Sequence, residues 1–216
     1  RAVFKKDVKM RDSLKQQTFK GLFWTLLDNV GVRIFSFISM LLLARWLGPE
    51  EFGLVGMIAV FITLGQTLVV SGMTTSLIRT KDAEASDFNT VFYLNFMMSL
   101  CVYGIIYLIA PYVASFYAEP VLIDVIRVYG LVFLLTAFST VQSAILNRDM
   151  AFKKLTLISI PSILGGIAVG LYLGYYNHGV WSIVWLYLST EIIRSLLLWV
   201  FSDWYPKLEF SKEKCK

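Results

Sequence analysis

The chain has 216 residues, of which 57% are hydrophobic and 16% charged, against roughly 45–50% apolar and about 25% charged in soluble domains. That excess excludes a soluble globular protein and a disordered one. With only Cys101 and Cys215 and no short apolar stretch ending in a small-residue cleavage site, the sequence reads neither as a disulfide scaffold nor as a secreted protein with a cleavable signal. Six mostly apolar runs, at approximately 22–44, 54–78, 91–112, 125–147, 156–176 and 180–201, are each long enough to cross a hydrocarbon core of about 30 Å at about 1.5 Å per residue. The expected fold is all-α, a polytopic membrane protein built as a six-transmembrane-helix bundle. Its parts are a basic segment at 1–21, the six-helix lobe at 22–203 and a tail at 204–216.

The net charge of +5 is explained by topology. Sixteen of the 20 Lys and Arg residues fall in the two end segments and in the connections holding Arg79, Lys81, Arg148, Lys153 and Lys154. The opposite connections hold only Arg45, and Arg33, Arg127 and Arg194 lie in or near the spans. The excess of positive charge on the cytoplasmic side therefore predicts that both termini are cytoplasmic. Basic residues placed this way give no support to nucleic-acid binding. The first 20 residues are either a short basic amphipathic helix, through Val3, Phe4, Val8, Met10 and Leu14, or a solvated tail.

Polar residues inside spans carry the functional signal, because lipid does not reward them. In the first span Thr25, Asn29, Arg33 and Ser36 share one helical face, with Asp28 at its margin. An Arg at a helix centre costs about 2.5–3.5 kcal/mol on insertion scales, so this face should meet protein or water. It is either a cavity wall or a charge pair inside a dry bundle. The second, third and fourth spans add Thr63, Gln66, Thr67, Ser71 and Thr74, then Asn95 and Ser99, then Thr136, Ser139, Thr140, Ser143 and Asn147. Small hydroxyl residues serve helix packing as readily as a cavity. Asp124 with Arg127, and Glu191 with Arg194, stand at i, i+3 spacing where adjacent turns meet. The second pair lies near the middle of its span and reads equally as an ion pair or as part of a cavity wall.

The row Gly166, Gly170, Gly174 in the fifth span predicts close helix packing, and Pro111 and Pro161 should kink or end their helices. Trp24, Trp46, Trp181, Trp199 and Trp204 fall toward span ends, as interfacial anchors do. His178 is the only histidine, and no metal-ligand cluster, cofactor motif or nucleophile-and-base constellation accompanies it. The expectation is a non-enzyme with no metal and no cofactor.

Seven segments in order resemble a known family. They are LARWLGPEEFG (Leu43 to Gly53), SGMTTSLIRTKD (Ser71 to Asp82), VFYLN (Val91 to Asn95), SFYAEP (Ser115 to Pro120), FKKL (Phe152 to Leu155), HGVWSIV (His178 to Val184) and WYPKLEFS (Trp204 to Ser211). Together they resemble the polysaccharide and lipopolysaccharide exporters of the multidrug/oligosaccharidyl-lipid/polysaccharide superfamily, particularly Wzx-type flippases, over nearly the whole chain. In the first segment Gly48 and Pro49 end one helix in a tight turn, and Glu50 and Glu51 complement the dipole at the start of the next.

The resemblance implies a bacterial inner-membrane flippase that moves a polyprenyl-pyrophosphate-linked glycan between leaflets by alternating access, between two six-helix lobes around a hydrophilic cavity. It implies that the chain is a fragment matching the first lobe, with the second lobe and polysaccharide polymerase or export proteins as further partners. A cationic family cavity makes Arg33 the expected pyrophosphate contact, with Thr25, Asn29 and Ser36 toward sugar hydroxyls and Asp28 orienting Arg33 or sensing a coupling cation. Glu191 and Arg194 form a second candidate cluster. The alternatives are a multidrug or small-solute exporter of the same superfamily and a non-transporting membrane subunit of a polysaccharide synthesis complex.

Overall fold

A computed structural model of the chain describes residues 30–70, 85–202 and 204–206. The described residues form helices and contain no strand. They are α1 (Val30–Leu47), α2 (Pro49–Val70), α3 (Ala85–Tyr117), α4 (Leu122–Tyr129), α5 (Leu131–Arg148), α6 (Phe152–Tyr175) and α7 (Val180–Phe201). All six apolar runs are thus helical where they are described. Among the described residues, five stretches are long and apolar enough to cross a membrane: α1, Phe88–Tyr117 of α3, Leu122–Arg148 spanning α4 and α5, α6 and α7. The amphipathic reading of residues 1–20 and the segment Ser71 to Asp82 lie outside the described residues.

Local chemistry explains where the helices stop. Pro111 and Pro161 both sit inside continuous helix, so neither ends it. The ends come instead where one residue turns left-handed: Ala118 (φ 57°), Met150 (φ 52°) and Asn177 (φ 56°). At each of these the following amide bonds back five residues, as Glu119 N–H to Ala114 O (3.0 Å), Ala151 N–H to Leu146 O (2.9 Å) and His178 N–H to Leu173 O (3.1 Å). This closure satisfies carbonyls that a helix end otherwise leaves open, which membrane surroundings make costly. Gly130 offsets α4 from α5 without breaking the path, and the Tyr103 ring lies 3.0 Å from where its Cβ would stand.

The α4–α5 span is the centre of the bundle, with half of it buried inside the chain. Phe133, Val132 and Ala137 meet Ile58 and Ile62 of α2, Val102 of α3 and Ile183 and Val184 of α7 in one core. At the end holding Arg148, Lys153 and Lys154, a second cluster packs Phe88, Phe92, Val141 and Ala144 against Trp199 and Trp204. There Trp199 Nε1 donates to Phe138 O at 3.1 Å. Exposed Tyr172, Tyr175 and Tyr176 gather at the opposite end beside Trp46, whose ring meets that of Tyr175 edge-on. Aromatic rings at both ends suit two membrane–water boundaries.

The expected glycine packing is realised between α6 and α7, which run against each other along most of their length. A Cβ on Gly166 would collide with Thr190 Oγ1 and stand 2.6 Å from the Leu186 carbonyl oxygen, and one on Gly170 would stand 2.7 Å from Leu186 Cβ. Gly174 turns to a different neighbour, Leu43 of α1, whose Cδ2 fills the notch at 2.6 Å from the Cβ position.

Candidate functional site

Arg33 and Arg194 are 161 positions apart in sequence and line the same cavity. The cavity is about 270 Å³ and lies between α1, α6 and α7; Val32, Ser159, Ser162, Ile163 and Thr190 complete its wall. Helical spacing explains the convergence. Ser159 and Ser162 stand i, i+3 on α6, Thr190 and Arg194 stand i, i+4 on α7, and the Gly166 approach brings those two faces together.

The wall is polar and net positive. Ser162 Oγ donates to Ile158 O and Thr190 Oγ1 to Leu186 O, both at 2.7 Å, so each hydroxyl proton is held by its own helix and the oxygen remains an acceptor. Arg194 Nη1 lies 4.0 Å from Glu191 Oε1, the outer limit of an ion pair, and its side chain remains 41% exposed. Arg33 is exposed and has no carboxylate partner among the described residues. Among the described residues, two guanidiniums opposed by one carboxylate leave about one unit of positive charge in a region flanked by apolar helices.

The first-span stripe is only partly visible. Thr25, Asp28 and Asn29 lie outside the described residues, Arg33 reaches the cavity, and Ser36 is exposed without lining it. Arg33 of the first candidate cluster and Arg194 of the second line one cavity, while Glu191 lies beside Arg194 outside its lining. Ser159, Ser162 and Thr190 were missed because single hydroxyls in apolar helices look alike, and the available signal was their i, i+3 and i, i+4 spacing beside the glycine row.

Most other intramembrane hydroxyls serve their own helices. Thr63, Thr67, Ser139 and Thr140 donate to carbonyls three or four residues back, as does Ser99. Ser71 and Thr74 lie outside the described residues. The Asp124–Arg127 pairing does not form: the Arg127 guanidinium sits 4.2 Å from the centre of the Tyr107 ring. A cation over an aromatic face needs no carboxylate to be tolerated near the end of a span.

Residues 42–216 match the family described as polysaccharide biosynthesis protein. Among curated proteins, the chain is 24% identical to the lipopolysaccharide biosynthesis protein WzxC of Escherichia coli (strain K12), over 92% of this chain and 41% of that one. It is 27% identical to the succinoglycan biosynthesis transport protein ExoT of Rhizobium meliloti (strain 1021), over 88% and 39%. It is 25% identical to the teichuronic acid biosynthesis protein TuaB of Bacillus subtilis (strain 168), over 92% and 41%. The chain spans about two fifths of the length of these relatives. No solved structure matches it.

Proposed function

The chain belongs to the polysaccharide biosynthesis protein family, and from that premise we propose that it forms part of a flippase for lipid-linked glycans. The cargo is a glycan on a polyprenyl pyrophosphate, moved from the cytoplasmic to the outer leaflet by alternating access against a second lobe. Both termini of this chain face the cytoplasm.

The observation that carries this reading is the meeting of Arg33 and Arg194 in one hydroxyl-lined cavity. Left against lipid, two such side chains would cost roughly 5–7 kcal/mol on insertion scales, so the site must be solvated or occupied by an anion. A pyrophosphate fits its chemistry. Guanidinium groups offer paired donors to phosphate oxygens, and such bonds strengthen where water is scarce. Ser159 and Thr190 offer oxygens to hydroxyl groups of the first sugar, while Ser162 is buried behind them. Asn29, Thr25, Asp28 and Ser36, which share the sequence stripe of Arg33, are the remaining candidates for contact with the cargo. Glu191 limits the positive charge, so that the anion can leave as well as enter.

The test is glycan export in cells whose own copy has been deleted, complemented with the protein at its natural length and matched abundance. Arg33→Ala and Arg194→Ala should each lower export by about tenfold or more, and Arg33→Lys should fall between, since it keeps the charge and loses the planar pair of donors. Normal export by the double alanine variant would overturn the assignment. Transport of hydrophobic cations without movement of lipid-linked glycan would point instead to a small-solute exporter.

A further inference from the structure

A tie at the opposite end of the bundle joins two turns. The Val180 amide, first in α7, donates to Glu51 Oε2 at 2.7 Å across 129 positions of sequence. Both turns are shaped for it. Gly48 (φ 78°) reverses the chain between α1 and α2, which sets Glu51 in the first turn of α2. Gly179 (φ 58°) precedes α7, and a Cβ there would stand 2.7 Å from Glu51 Oε1. Glu51 thus occupies the capping place that Gly179, which has no side chain, leaves empty.

The tie matters because, among the described residues, α1 has little else to hold it. Only 11% of α1 is buried in this chain, with Ser39 and Leu43 its buried residues. Ser39 bonds its own helix, at Phe35 O. Leu43 in the Gly174 notch and the Trp46–Tyr175 ring contact both lie in the same last turns of the helix. The position of α1 along α6 and α7 is therefore set from one end, and Arg33 stands at the other. Arg33 lies fourteen residues before Leu47 and Arg194 fourteen after Val180. At about 1.5 Å per residue both guanidinium-bearing residues stand about 21 Å from the tie, at equal depth.

We propose that Glu51 is a positioning residue for the anion site: its bond to the α7 N-terminus sets the register of α1, so that Arg33 and Arg194 face one cavity. The role rests on the flippase reading for its effect on transport, but its effect on register does not. Loss of the carboxylate frees the α7 amide and lets α1 slide or tilt about Leu43. A displacement of one turn carries Arg33 out of reach of an anion held by Arg194.

The experiment is a cross-linking ladder in the protein at its natural length, otherwise free of cysteine. A cysteine replaces Val32 and is paired in turn with one at Ser159, Ile163 or Ile167, and oxidative or short-linker cross-links are read per folded molecule. With Glu51 present the Ser159 and Ile163 pairs should dominate. Glu51→Ala should spread the yield over the ladder, and Glu51→Gln, whose amide oxygen still accepts from Val180, should restore it. A pair replacing Phe96 and Phe138, whose rings meet at 5.0 Å on α3 and α5, should not change. Export should fall about tenfold in Glu51→Ala and at most about threefold in Glu51→Gln.

A ladder unchanged by Glu51→Ala overturns the proposal, whatever happens to export. Equal loss of register in the Ala and Gln variants also overturns it, because the bond would then not be the cause. A shifted ladder with normal export upholds the register role and counts against the flippase site instead.

Discussion

Single atoms decide how closely α6 can approach α7. Gly165 and Gly166 are neighbours, yet their surroundings differ. A Cβ on Gly165 would meet only the end of the Ile193 side chain, which can rotate away, whereas one on Gly166 would meet the fixed carbonyl oxygen of Leu186 as well as Thr190. Gly166→Ala should therefore destabilise the folded protein by about 1–3 kcal/mol and Gly165→Ala by less than about 0.5 kcal/mol. Unfolding of the two purified variants in one detergent measures the difference, and equal losses would contradict it. The glycine row was legible in the sequence as a packing surface. Its division was not: Gly166 and Gly170 serve α7 while Gly174 serves α1, because spacing names a face and not the neighbour that covers it.

Helix ends and helix pairings belong to the next scale. The segments SFYAEP and HGVWSIV, and the approach to FKKL, lie at left-handed helix ends at Ala118, Asn177 and Met150, so these stretches mark stops and starts of helices. The segment LARWLGPEEFG does more than turn the chain. Its Leu43 fills the Gly174 notch and its Glu51 caps α7, so one run of residues holds both ends of the α6–α7 turn. Leu43, with no exposed surface, should cost about 2–5 kcal/mol when replaced by Ala, while exposed Leu41 should cost little. The measurement is again detergent unfolding, and α1 should become the first helix open to proteolysis in Leu43→Ala. Periodicity found the helices but not the offset at Gly130, since residues 125–147 read as one mostly apolar run.

Across the whole molecule, exposure has two meanings, because surface outside the core meets lipid, water or another part of the protein. Large apolar side chains such as Leu157 (56% exposed) and Leu164 stand open on α6, while Ser159 on the same helix faces the cavity. If the cavity is an aqueous site, a cysteine replacing Ser159 should react with a membrane-impermeant thiol reagent at least tenfold faster than one replacing Leu157. Equal, slow reaction at both would mean that the cavity is closed to water in the resting protein. A lipid-linked anion added to the assay should protect the position of Ser159 and not that of Leu157.

The sequence by itself determined the all-helical membrane architecture, the basic and aromatic ends of the spans and the presence of Arg33 within an apolar span. These are local properties: hydropathy acts residue by residue, and a rise of about 1.5 Å converts a run length directly into a span. The tertiary structure alone decided that Arg33 and Arg194 line one cavity, that Ser159, Ser162 and Thr190 line it with them, and that Glu51 reaches the start of α7. A period of about 3.6 tells which residues share a helical face but carries no information about which helix that face will meet. That choice is made by shape, where glycine notches, side-chain volumes and capped ends favour the arrangement of helices in which both arginines line one cavity.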